Sequence, residues 1–433
     1  MHKPALLLLA IGLTAHAQIQ HTSVPLGDAI DKALKKSLLT SQDGRPFHLR
    51  VEISEPANPK SPYVGTLEEW WASSDQWRRE VTAPNGVKQI IVVVDGKKSE
   101  QDVGDYLPLW LRNFIWAATD PLPNASAWTA AGITIDQITM PNGTKSSPCA
   151  RVKSSLGTGP RATDAFSNVC FDASGRFDFI GSPRYHMEFH DYRGFGKKDV
   201  PRRIVDHPEP GTEIVGSTAI LEDLAKAKPP ADFFRPLAAN DNAFESIAVN
   251  ASTLEHLSAN SPAIVWPPIH SGNIHGRLAV YLSVDRTGTV REAWPLNSDN
   301  AGLEDPAREQ ILQWHFKPAI NNGLPVQLDG ALGFAFDTTI GDPLPELSDA
   351  EVRALVKTLP EPVWSDVQLP HGTIIEIKIS VNETGKTTGF SLGQVPANAE
   401  GPILNVFPQW SFMPLILNGH PQYFHGTLRF VVP

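Results

Sequence analysis

Cysteine is scarce in this chain of 433 residues: Cys149 and Cys170 are all there is. Two cysteines set no zinc-ligand spacing, and no Cys-x-x-Cys redox pair occurs. Nor is there a Gly-x-Ser-x-Gly elbow, a His-Glu-x-x-His helix or a glycine loop that would cradle phosphates. No basic run interleaves with aromatics, and 47 acidic residues against 37 basic ones leave the chain at −10, which argues against a nucleic-acid partner. Past residue 18 the longest strongly apolar run is Ile90–Val94, far short of the roughly 20 residues a membrane helix needs. These absences point away from an enzyme and imply no cofactor or metal.

The 38 prolines and 32 glycines favour short strands and many turns, and the length favours about three domains. At the N-terminus His2-Lys3 precedes an apolar stretch from Ala5 to Leu13 and the small-x-small site Ala15-His16-Ala17. This pattern reads as a secretory signal peptide over 1–17, cleaved before Gln18 and delivering the chain to the periplasm. The alternative is an uncleaved inner-membrane anchor. In an exported chain the cysteine pair suggests a Cys149–Cys170 disulfide between two strands, with two separate buried thiols as the alternative. On a chain-entropy basis such a bridge stabilises by about 3 kcal/mol.

From 28 to 40, Ala29, Ile30, Ala33, Leu34 and Leu38 have helical spacing, and Leu107, Trp110, Leu111, Phe114 and Ile115 repeat it. Between and after these, residues to about 205 alternate as strands. Asn85-Gly86 and Asp95-Gly96 bracket one of them, as turns that tolerate positive φ. His186, Glu188 and His190 alternate on one strand in a spacing that a metal site could use, but a half-buried strand with a polar outer face is the better reading. Glu68 and Glu69 are adjacent on a strand and so face opposite ways, unlike a catalytic pair. Six tryptophans between 70 and 128 could line an apolar cavity or simply fill a core.

The strongest pattern is a repeat. Trp314-x-Phe316-x-Pro318 with Asn322-Gly323-x-Pro325 recurs as Trp410-x-Phe412-x-Pro414 with Asn418-Gly419-x-Pro421, at a fixed offset of 96 residues. Ser252-x-x-Glu255 and Ser348-x-x-Glu351 give capping boxes at the same offset. The boundaries this suggests are a strand-rich domain over 18–236, a linker over 237–251, one module over 252–337, a joint over 338–347 and a divergent second module over 348–433. In the first module Asp305-Pro306 starts a helix with Asp305 as cap, and Ala307, Ile311 and Trp314 share its apolar face.

Two resemblances follow. Trp266-Pro267, Val284-Asp285-Arg286-Thr287-Gly288, Trp314-His315-Phe316-Lys317-Pro318 and Asn322-Gly323-Leu324-Pro325, in that order, resemble the TonB C-terminal domain, although that family usually has Tyr-Pro where this chain has Trp266-Pro267. More loosely, Gly65 to Trp71, Asp75 to Glu80, Val94-Asp95-Gly96-Lys97, Phe189 to Tyr192 and Asp232 to Pro236 resemble the LolA-like lipoprotein-carrier half-barrel. Together they imply an α+β chain: an antiparallel half-barrel sheet with one or two helices, then two small α+β modules. The first resemblance implies binding of an envelope protein or peptide, an outer-membrane receptor among them, at the edge of the strand Val326–Phe336. On that strand Val326, Leu328, Ala331 and Gly333 are the candidate contact residues. The second implies carriage of a lipid or acyl chain. A membrane-anchored energy transducer is a further alternative, although a folded domain stands where such a protein needs a proline-rich spacer.

Overall fold

The computed structural model describes residues 26–41, 44–58, 60–122, 135–142, 145–156, 163–182, 185–208, 212–230, 232–238, 244, 246–270, 272–341, 344–364, 369–392, 400–417 and 419–432, with backbone alone for those at 26–27, 85, 135–142, 145–148, 151–156, 163–167, 182, 400, 405 and 420. The signal-peptide reading, Trp128 and Asn418 lie outside these residues. Among the described residues no helix is long and apolar enough to cross a membrane.

The chain is α+β. Helix α1 (Leu26–Ser37) precedes β1 (Phe47–Ser54), β2 (Gly65–Ser73), β3 (Gln76–Thr82), β4 (Lys88–Val94) and β5 (Lys97–Val103), and α2 (Leu109–Thr119) follows. Next come β6 (Ile135–Asn142), β7 (Lys145–Leu156), β8 (Thr163–Phe171), β9 (Phe177–Ser182) and β10 (Tyr185–His190). The ribbon β11 (Arg193–Phe195) and β12 (Lys198–Val200), then β13 (Arg203–Asp206), β14 (Ile214–Asp223) and α3 (Leu224–Ala227), complete the domain. Twelve strands form one antiparallel sheet in the order β5-β4-β3-β2-β1-β14-β13-β10-β9-β8-β7-β6.

Period-2 alternation decides which face is inside. In β2, Leu67, Glu69 and Trp71 are buried while Glu68 and Trp70 are partly exposed. Glu69 and Glu68 thus face opposite ways, and Glu69 is neutralised by Arg79 at 2.6 Å. One apolar cluster joins Ile30 and Ala33 of α1, Leu111, Phe114 and Ile115 of α2, and strand residues from Val81 to Val169. A single face therefore wraps both helices, as a half-barrel does. Trp71 and Trp110 belong to this core, Trp70 stacks on His48 at 5.0 Å outside it, and Trp116 is exposed. The Cys149–Cys170 disulfide joins β7 to β8 across directly paired positions.

The first C-terminal module comprises β15 (Ser246–Ala248), α4 (Ala251–Leu257), β16 (Ser258–Asn260), β17 (His275–Val284), β18 (Val290–Ser298), α5 (Glu304–Ile311), β19 (His315–Phe316), β20 (Ala319–Asn321) and β21 (Leu324–Asp337). Its sheet runs β15-β21-β17-β18, with β20 hairpinned onto β21. The second has β22 (Glu346–Leu347), α6 (Asp349–Ala354), β23 (Val356–Thr358), β24 (Ile374–Val381), β25 (Thr387–Leu392), α7 (Glu400–Val406), β26 (Ser411–Phe412), β27 (Leu415–Leu417), β28 (His420–Gln422) and β29 (Phe424–Val431). Its sheet, β22-β29-β24-β25, has the same order and directions. The repeat extends to single bonds: Phe316 N–H donates to Gly288 at 2.7 Å, and Phe412 N–H to Gly385 at 2.8 Å. Both glycines sit at positive φ, where a Cβ would overlap the carbonyl oxygen of Phe316 or Phe412.

Several local expectations change. The capping box at Ser348 forms, with Glu351 accepting from the Ser348 amide at 2.8 Å. At Ser252 it does not: Asn250, an equally good cap, lies two residues earlier and accepts from the Thr253 amide at 2.9 Å. Asp305 is not a cap, because a 3-10 turn over Ala301–Leu303, capped by Asn300, leads straight into α5. Trp314 lies just past the end of α5 rather than on it, although it is buried with Ala307 and Ile311 as expected. Within 237–251, read as a linker, Phe244 is buried in the N-terminal core and Ser246–Ala248 pairs with β21.

Candidate functional site

Strand β21 begins at the turn Asn322-Gly323, both at positive φ, and is long enough to hold different partners along its length. Its start is covered. Leu324–Val326 pairs with β20, and Gln327–Asp329 pairs in parallel with β15. Among the described residues its later half, from Gly330 to Asp337, pairs with β17 alone.

Which amides face outward follows from three hydrogen bonds. Val249 N–H donates to Asp329 O at 2.8 Å and Ile269 N–H to Thr339 O at 2.9 Å, both from outside the sheet, whereas Thr338 N–H donates inward to Ile274 O at 2.9 Å. A strand residue directs its N–H and C=O to the same side, and successive residues alternate. Odd-numbered residues therefore face outward, so Ala331, Gly333 and Ala335 offer their amides and carbonyls there. Among the described residues nothing bonds to them on that side. The chain leaves this edge after Val249 and returns at Pro267, where Thr338 Oγ1 donates to the Pro267 carbonyl at 2.5 Å.

Inside that detour, between the edge and Ser258–Trp266, lies a cavity of about 620 Å³. Leu254, Ile264, Trp266, Trp314, Leu332 and Phe334 form its apolar wall, and Glu255, Arg277 and Asn297 contribute polar groups. Trp314 meets Phe334 edge-on at 5.8 Å. The Trp314 Nε1 is buried with no acceptor among the described residues.

The second module closes the same position. Arg429 of β29 corresponds to Gly333. Its N–H donates to Asp349 Oδ1 at 2.8 Å, and its carbonyl accepts from Arg353 at 2.7 Å. Thr253 and Leu257 stand at the equivalent positions of α4, and neither supplies such a cap.

The N-terminal domain holds the base of the edge. Arg112 of α2 forks onto Asp329, Nη1 to Oδ2 at 2.5 Å and Nη2 to Oδ1 at 3.2 Å, and also reaches Ser283 Oγ at 2.9 Å. Burial pushes the Asp329 carboxyl up, but the Arg112 charge and hydrogen bonds from Arg112, Ser246 and Tyr281 outweigh it, leaving Asp329 below the usual carboxylate range. Nearby, the Leu107 amide donates to Gln327 Oε1 at 2.7 Å and Tyr106 to Glu292 at 2.5 Å. Burial on both sides explains why α2 is buried nearly all round. The interface continues into a cavity of about 230 Å³ walled by Tyr63, Trp110, Tyr185, His186, Asp206 and Trp294, among others. Burial there pushes Asp206 up to about 7.

The four residues singled out from sequence divide accordingly. Val326 is paired with Ala319, and Leu328 lies between Ile247 and Val284; both are buried. Ala331 and Gly333 are on the open edge. Ala335 joins them and was missed, as were Arg112 and Asp329, whose separation of over 200 residues leaves no local signal. Met187 and Phe189 are core, while Glu188 accepts from His190 at 3.0 Å on the outer side. Among the described residues no group of histidine, cysteine or acidic side chains could hold a metal ion.

Residues 270–338 match the family described as Gram-negative bacterial TonB protein C-terminal, a span that contains the whole open edge. The N-terminal part is similar to a LolA superfamily protein from Nitrosomonas europaea, at 11% identity and a TM-score of 0.24, covering 46% of this chain and 94% of that one. It is also similar to a Vibrio parahaemolyticus domain named for outer membrane lipoprotein sorting, at 9% identity and a TM-score of 0.28, covering 48% and 95%. No curated protein matches the chain in sequence.

Proposed function

We propose that this chain is a non-catalytic binding protein of the bacterial envelope. Its first C-terminal module captures an extended segment of an envelope protein or peptide by adding it as a strand along Ala331–Ala335. The observation that carries this reading is the contrast between two copies of one module. The edge at Gly333 is open beside an apolar cavity, while the edge at Arg429 is capped by its own helix. Ala331, Gly333 and Ala335 each offer one N–H and one C=O, and each backbone pair formed contributes about 0.5–1.5 kcal/mol net. Alternate side chains of the added strand would turn toward the cavity, where a buried apolar anchor contributes about 1.5–3 kcal/mol. The periplasmic location and an outer-membrane receptor as partner are part of this proposal, supported by the apolar stretch Ala5 to Leu13 with Ala15-His16-Ala17 behind it and by the family matched over 270–338.

Proline at an outward edge position removes one donor without breaking the sheet. Ala335→Pro should therefore reduce capture of envelope proteins by about tenfold, the loss expected for one hydrogen bond and its neighbour. Val431→Pro, at the corresponding edge of the second module, should leave capture unchanged. Leu328→Pro is unsuitable, because that amide faces β17 and its loss would disrupt the sheet. Equal capture by folded Ala335→Pro and the wild-type chain would refute strand addition here.

A further inference from the structure

We propose that the N-terminal domain has an anion site, distinct from the strand-capturing edge, that takes a phosphate-bearing ligand between Arg193, Arg202 and Arg203. The three arginines come from three places in the fold. Arg193 opens β11, Arg202 closes the turn out of β12, and Arg203 opens β13. The turn is pinned on both sides: Arg202 N–H donates to His190 O at 3.1 Å, and Thr218 N–H donates to Arg202 O at 2.9 Å. Opposite them β14 carries a bulge, because Arg50 and Val51 of β1 pair with Ile220 and Thr218 and leave Ala219 over. A bulge of this kind re-aims neighbouring side chains. Together these segments wall a cavity of about 380 Å³ in which Ser217 and Thr218 face the arginines.

The charges in this wall do not balance. Arg203 is shared with Glu213 at 2.9 Å. Arg193 and Arg202 have no carboxylate or other side-chain partner among the described residues, and the Arg202 Nε is buried without an acceptor. Burial first, and the Arg193 charge second, lower the basicity of Arg202. The single carboxylate in the wall, Asp191, forms no ion pair with either. Two like charges held together by a pinned backbone call for an anion. A phosphate monoester carries about −1.5 to −2 near neutrality and matches both guanidinium forks, whereas a monocarboxylate would leave one unpaired.

A soluble phosphate compound and a phospholipid headgroup share this chemistry. The full chain should be titrated with inorganic phosphate by calorimetry at low salt. Its sedimentation with phosphatidylcholine vesicles, with and without phosphatidic acid, should be measured alongside. Binding of free phosphate alone would identify a soluble ligand, and phosphatidic-acid-dependent sedimentation that phosphate fails to displace would identify a headgroup. In either case Arg193→Gln and Arg202→Gln should each weaken binding about tenfold or more, and Arg203→Gln less, because Glu213 already shares that charge. Arg193 is exposed, so its variant tests the site even if Arg202→Gln folds poorly. Binding of neither form, or binding unchanged in folded Arg193→Gln, would overturn the proposal.

Discussion

Replacing Arg112 by methionine removes the cation that pairs with Asp329 in the contact between the two regions while keeping most of the side-chain volume. Arg112 supplies a forked pair of hydrogen bonds to Asp329 and a third to Ser283, in a place where only 5% of its surface is exposed. Without it Asp329 keeps hydroxyl donors alone, with Ser283 Oγ at 2.8 Å and Ser246 Oγ closer still. Removing one partner of a buried pair costs about 3–5 kcal/mol, because the other charge is left uncompensated. The wild-type Asp329 has a depressed pKa, so its bridge contributes above the ordinary carboxylate range and is lost as pH falls through the folded value. In Arg112→Met the same burial acts with no opposing cation and raises the carboxyl, which then protonates in mild acid at little cost. The stability gap to wild type should therefore be largest at pH 7 and narrow toward about pH 4. Urea unfolding followed by tryptophan fluorescence measures this, with each transition fitted separately because a chain of several cores need not unfold in two states. Adding Asp329→Asn should recover part of the loss at pH 7. A gap below about 0.5 kcal/mol at pH 7, or one that widens on acidification, would refute the reasoning.

Alanine at Gly288 or Gly385 should destabilise its own module by about 1–3 kcal/mol, since the residue needs positive φ and its Cβ would overlap the Phe316 or Phe412 carbonyl oxygen; separate melting of the two variants would show which transition shifts. Asp206 is pushed up to about 7 by burial, so the folded state holds a proton between about pH 4 and 7 that the unfolded chain has released. Stability should thus fall with rising pH across that window, by up to about 1.4 kcal/mol per unit for this group. Asp206→Asn should flatten that slope in a pH series of thermal melts, and an unchanged slope would show that Asp206 does not titrate there.

Local pattern explains what could be read from sequence. Ile30 and Ala33 marked the buried face of α1, and Asp95-Gly96 marked a hairpin that forms with both residues at positive φ. The duplicated Trp-x-Phe-x-Pro element pointed to two copies of one module, and the two sheets do share one strand order. What stayed hidden depends on distant partners. Strand β14 closes the sheet between β1 and β13, yet its sequence, Ile214 to Asp223, has no clean alternation: both of its first two residues are buried. Likewise Ser246–Ala248 is a strand only because β21 offers it an edge. Nothing in the neighbourhood of Arg112 or Asp329 announces that each is the other's counterion.

The edge itself was half legible, and the repeat shows why. Four positions on one strand were chosen without knowing which amides face outward, and that depends on Val249 and Ile269 arriving from other segments. Yet the decisive contrast was present in the two copies. At an offset of 96 residues, Asp349 and Arg353 of α6 stand where α4 has Thr253 and Leu257. An acid and a base four apart on a helix can bond each other and both backbone groups of a neighbouring strand residue, as they do at Arg429. A threonine turned to its own cap and a leucine turned to the core can do neither. Two modules of one architecture therefore differ in whether the middle of the last strand's outer edge is capped by the preceding helix. The difference lies in helix residues outside the strand, which is where a search for the binding copy should begin.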